Sequence, residues 1–99
     1  MNGDTLLHAA TIHRSFLAHT GVSPIRADQD LILPTAPQVF AHTLWLLGEV
    51  PVLIEQNEIE KAMRWICFTQ GTLWDRGLIT TRVLRDLMRS VGLANDPRV

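Results

Sequence analysis

Three arginines, Arg82, Arg85 and Arg89, follow i, i+3, i+7 spacing, so a helix would carry them on one face. A row of guanidinium groups can hold phosphate or carboxylate oxygens through paired hydrogen bonds. It can equally be the solvated back of an amphipathic helix, and Asp86 tempers its charge. Two more cations, Lys61 and Arg64, lie in the segment "EKAMRWICFTQGTLWDRG", residues 60–77, with Trp65, Gln70 and Trp74. A buried glutamine amide must find partners or cost on the order of 1–3 kcal/mol, so Gln70 reads as a structural hydrogen bond or as a ligand contact. Tryptophan is enriched at binding hot spots. Trp65 and Trp74 read as core aromatics or as interface or ligand-stacking residues, and Trp45 before them as an interface residue.

The remaining chemistry-bearing residues offer less. His8, His13, His19 and His42 form no H-x-x-x-H or H-E-x-x-H pair, so no metal site and no cofactor is expected. On a helix His8 and His19 point nearly the same way but stand three turns apart, roughly 16 Å, with His13 turned away. Cys67, the single cysteine, excludes an intramolecular disulfide and lies in an apolar stretch where a thiol is inert. Glu49, Glu55, Glu58 and Glu60 are near one another, but without a cleft to shift a pKa they read as a solvated helix end. There is no G-x-S-x-G and no glycine-rich phosphate loop. The expectation is a protein that is not an enzyme.

These residues must be positioned by a small frame. The 99 residues make one domain, 46% apolar but only 19% charged, below the usual share of about 25%. A shortage of charge on a chain with so much surface suggests that some surface faces a partner. A homo-oligomer, a dimer first, is the simplest such arrangement. The net charge of −1 and a pI near 6.4 give no general pull toward nucleic acid. No signal peptide and no run of about 18 apolar residues is visible, which points to a soluble cytoplasmic protein without a membrane role.

The pattern predicts an all-α fold of four helices at about 5–20, 36–56, 58–76 and 81–91, with 93–99 as a flexible tail. Asp4 is the expected N-cap of the first helix and Gly21 its stop. A proline-punctuated loop follows, in which Leu31 to Leu33 should pin the chain onto the core. Thr35 and Gln38 form a T-x-x-Q capping box for the second helix, which Pro51 should kink or break. Asn57 and Glu60 read as a second capping box, and Thr80 or Thr81 as the cap of the fourth helix.

At ~100° per residue, Ile59, Met63, Ile66, Gln70 and Leu73 form one stripe of the third helix. Ala62, Trp65, Thr69 and Thr72 form another. Lys61, Arg64, Phe68 and Asp75 take most of what remains. Gly71 costs roughly 1 kcal/mol of helix propensity relative to alanine. The usual return is close backbone approach, so a helix is expected to cross at Gly71, from this chain or from a second copy. Gly71 and Trp45 are therefore candidate interface residues. Lys61, Arg64, Trp65, Gln70, Trp74, Arg82, Arg85 and Arg89 are candidate binding residues.

The stretch "EKAMRWICFTQGTLWDRGLIT" followed by "LRDLMR" resembles a pattern in small proteins of tailed bacteriophages and prophages, E-K-A-x-R-W-L-G-F-x-Q-G-x-L-W-x-x-G. The shared positions are Glu60, Lys61, Ala62, Arg64, Trp65, Phe68, Gln70, Gly71, Leu73, Trp74 and Gly77, within a likeness spanning about 41–89. Cys67 stands where the pattern has glycine, which weakens any need for close packing there. The group has no assigned activity. The resemblance implies an accessory protein acting inside a bacterium by binding a host or defence component, for example as an inhibitor of bacterial immunity. A nucleic acid or signalling nucleotide held by the Arg82, Arg85 and Arg89 face is the alternative.

Overall fold

A computed structural model describes residues 3–30, 32–33 and 35–90. Val91 and the tail expected at 93–99 lie outside the described residues. Four helices account for most of the rest: α1 Gly3–Leu17, α2 Ala36–Glu55, α3 Ile59–Asp75 and α4 Thr81–Ser90. A short 3-10 turn, Ala18–Thr20, extends α1, and no strand occurs among the described residues. The all-α four-helix reading is thus correct.

Helix ends follow from local chemistry. The Thr35 side chain accepts from the Gln38 N–H, and the Gln38 side chain accepts from the Thr35 N–H at 3.1 Å, the expected capping box. Thr80 caps α4, accepting from the Val83 N–H at 3.2 Å. Two expected caps are corrected. Asp4 lies within the first turn of α1, where its charge suits the helix dipole. Asn57 caps nothing at the start of α3, whose N-cap is Glu58 and carries no side-chain capping bond.

Asn57 instead closes α2. It adopts φ 61, with its N–H on the Ile54 carbonyl while the Glu58 N–H reaches the Leu53 carbonyl. This is the double bond pattern of a Schellman cap. The end of α3 repeats it: Gly77 at φ 75 bonds to Trp74 and Leu78 bonds to Leu73. The short α2–α3 connection that results makes the two helices packed neighbours. Pro51 does not end α2, which is helical through to Glu55. Its exposed position leaves the ring directed away from the core, and only the Leu47 carbonyl lacks its intrahelical N–H.

The core joins Leu6, Ala9, Ala10 and Leu17 of α1 to Leu44, Leu47, Val50 and Leu53 of α2 and to Ala62, Ile66 and Leu73 of α3. Ile79 and Leu87 close it from the α4 side. Helix α3 touches each of the other three helices, which makes it the centre of the packing. The loop between α1 and α2 is anchored differently from expectation. Ile32 is 92% exposed and pins nothing, Leu33 is half-buried, and Leu31 lies outside the described residues. The anchors are the Ile25 N–H on the Ala41 carbonyl at 3.0 Å and the Ala27 N–H on His42 Nδ1 at 3.1 Å.

Candidate binding surface

Two clefts flank the α2–α3 pair. The first, of about 600 Å³, is lined by Arg26, His42, Trp45, Glu58, Lys61 and Trp65 among others. Its walls form a ladder of rings and cations. His42 stacks on Trp45 with centroids 5.8 Å apart and planes 11° from parallel. Trp45 meets Trp65 at 5.9 Å. The Arg26 guanidinium lies 5.3 Å from the Trp45 centroid and Lys61 Nζ lies 5.4 Å from that of Trp65, both within cation–π range.

The ladder ties the loop to the helices. Trp45 already contacts Arg26, His42 and Trp65, so much of its aromatic surface is engaged within the chain. Burial lowers the pKa of His42 and the Arg26 charge lowers it further, a backbone contact at Ile25 working the other way. Neutral His42 is also what the latch requires, because Nδ1 must keep a lone pair to accept from Ala27.

The second cleft, of about 580 Å³, runs between the first half of α2 and the second half of α3, with Leu33, Val39, His42, Phe68, Gly71 and Thr72 on its walls. This open cleft's α3 wall, with Phe68, Gly71 and Asp75, is also the outward side of that helix. Ala62, Ile66, Thr69, Gln70 and Leu73 are buried. On the opposite side Arg64, Phe68, Gly71 and Asp75 are exposed. Phe68 is 62% exposed and Trp74 is 46% exposed, although Trp74 Nε1 donates to Thr81 Oγ1 at 3.1 Å. Among the described residues no helix crosses at Gly71: a Cβ there would meet nothing within 4 Å. That corrects the expected crossing within the fold. The bare backbone is presented outward.

A scan against protein-family models and searches of curated proteins and of solved structures found no match to this chain.

The candidate residues thus separate into distinct places. Lys61, Trp65 and Trp45 meet in the first cleft. Arg64 and Gly71 share the outward face of α3, with Trp74 at its flank. Arg82, Arg85 and Arg89 are all exposed on α4, and none of them lines either cleft. Gln70 is 2% exposed and its amide nitrogen has no hydrogen-bond partner among the described residues. It therefore belongs to the interior. Arg26 and His42 were missed from sequence. His42 had a signal, since it stands three residues before Trp45 on one helix. Arg26 had none, because a loop residue reaches its ring only through the tertiary path of the chain.

Among the described residues no three histidine, cysteine, aspartate or glutamate side chains converge as a metal ion would need. Burial pushes the Cys67 thiol pKa up, away from the thiolate form that reacts. What the surface offers is contact: an apolar strip on α3, an aromatic and cationic cleft, and an arginine row.

Proposed function

We propose that this chain is a non-enzymatic binding module, encoded by a phage or prophage, that pairs with itself and holds a host or defence protein. The observation that carries self-association is the outward strip of α3, where exposed Phe68 and Trp74 flank a glycine at which an added Cβ would meet nothing among the described residues. A mid-helix glycine costs about 1 kcal/mol. Packing by an outside helix is a physical reason to tolerate that cost. The low charged fraction of 19% supports the same reading, as does an exposed large aromatic of the kind enriched at interfaces. The sequence resemblance supports the phage setting and, through it, the class of partner.

Light scattering on wild type and Gly71→Leu tests the reading. The expected result is a dimer for wild type and a folded, helical monomer for the variant. A wild type that stays monomeric at all concentrations would remove the main support for self-association.

A second reading is favoured by the exposure of Arg82, Arg85 and Arg89 along α4. They would bind a phosphate-bearing ligand, either nucleic acid or a nucleotide. Binding should then vanish in the Arg82→Glu, Arg85→Glu double variant and weaken steeply with salt. Salt-insensitive binding would count against it.

A further inference from the structure

The exposed face of α3 has a pattern that specifies how a second copy would lie on it. At ~100° per residue, Arg64, Phe68, Gly71 and Asp75 fall within one narrow sector. That sector is directly opposite the buried stripe of Ala62, Ile66, Thr69 and Leu73. All four are exposed. Neither the Arg64 nor the Asp75 side chain has an ion-pair or hydrogen-bond partner among the described residues. The charges stand at opposite ends of the face, with the one large apolar side chain and the one bare backbone position between them.

Reverse this helix about the Thr69–Gln70 peptide and lay it on itself. Arg64 then comes opposite Asp75 of the partner subunit, and Phe68 comes beside the partner's Gly71. The two-fold axis repeats both contacts, because the same patch on each copy must complement itself. One operation thus places a ring beside a position with no side chain and opposes each charge with its opposite. A parallel pairing in register does neither: it sets Arg64 against Arg64 and Phe68 against Phe68.

We propose that two copies of this chain pair through α3 in antiparallel orientation, Phe68 of each packing at the partner's Gly71 and Arg64 of each opposing the partner's Asp75. The inference rests on the reading that the chain self-associates through α3, and it adds the register. Phe68 supplies the apolar contact, Gly71 allows the backbones to approach, and the charge pairs select the orientation. Opposed rim charges act more on specificity than on raw affinity.

The test is a charge reversal and its rescue, read as the dimer dissociation constant by analytical ultracentrifugation. Arg64→Asp and Asp75→Arg should each weaken the dimer by about tenfold or more, since each turns two opposed pairs into like-charge pairs. The double variant Arg64→Asp, Asp75→Arg should return to within about threefold of wild type, because both pairs are re-formed with their signs exchanged. All four residues are at the surface, so circular dichroism should show each variant as helical as wild type. Single reversals that leave the constant unchanged, or a double variant no tighter than the singles, would overturn the register. Gly71→Leu would still report separately on whether α3 is the surface. A wild type that is monomeric throughout would overturn both.

Discussion

His13 is the residue that most changes meaning between sequence and structure. It is fully buried, and its Nδ1 faces the Ala9 carbonyl. A carbonyl only accepts, so Nδ1 carries the proton and Nε2 is left as a bare acceptor. Nε2 of His13 and Nε2 of Gln70 are the buried polar atoms without partners among the described residues. Burial lowers the pKa of His13, the Ala9 bond partly offsetting it, and His42 is lowered as well. The unfolded chain therefore binds protons first as pH falls below about 6.5. The stability conferred by neutral His13 and His42 is full above that pH and declines as pH drops toward their folded values. Melting temperature should be flat near pH 8 and fall from about pH 6.5 to pH 5. His13→Leu should flatten much of that slope. Gln70→Met removes an unpartnered buried amide at similar volume and should stabilise the fold by about 1 kcal/mol, measured by urea unfolding. A loss of that size instead would mean that the Gln70 amide is satisfied by a bound water.

At the scale of elements, the helices owe their limits to caps and their positions to one-sided burial. Helix α3 shows both sides of this. Its apolar residues face the core in one arc, yet Phe68 and Gly71 lie in the opposite arc and contribute little to folding. Gly48 in α2 is a natural control. It too is exposed, and a Cβ there meets nothing within 4 Å among the described residues. Gly48→Ala and Gly71→Ala should each raise the stability of the dilute monomer by roughly 0.5–1 kcal/mol, a few degrees in melting temperature. They should part in a second measurement: the Gly71 substitution shifts the solution mass and the Gly48 substitution does not. The loop of residues 21–35 depends on a latch of a different kind. His42→Ala removes the acceptor for the Ala27 N–H and the stacking partner of Trp45. Amide exchange at Ala27 should quicken while the amides of α1 keep their protection.

For the whole molecule, the unusual quantity is the surface. Only 19% of residues are charged, and exposed Ile25, Ile32, Val52, Phe68 and Trp74 add apolar area. No helix among the described residues is long and apolar enough to cross a membrane. The outward strip of α3 is one such exposed patch, with Phe68 and Trp74. Pairing two such patches ties stability to concentration by mass action. The melting temperature of wild type should therefore rise with protein concentration over a hundredfold range, and that rise should disappear in Gly71→Leu. A concentration-independent melt of the wild type would contradict the paired state.

The helices and most of their ends were legible in the sequence because they depend on short-range chemistry. A side-chain oxygen three residues from an N–H, as at Thr35 and Thr80, acts whatever the rest of the chain does. So does an apolar repeat at helical spacing. Even the misread Asn57 is local in origin, since asparagine tolerates both an N-cap and a left-handed turn, and here it takes the left-handed turn at φ 61. Two further matters needed the tertiary structure. Arg26 reaches Trp45 because a loop of irregular path is folded back onto α2, which no spacing encodes. The environment of each face of α3 depends on which neighbours arrive there: core on the Ile66 side, an open cleft wall at Gly71. Sequence determined that α3 is apolar around most of its circumference, but burial is a property of what packs against a residue, and that is set across the whole chain.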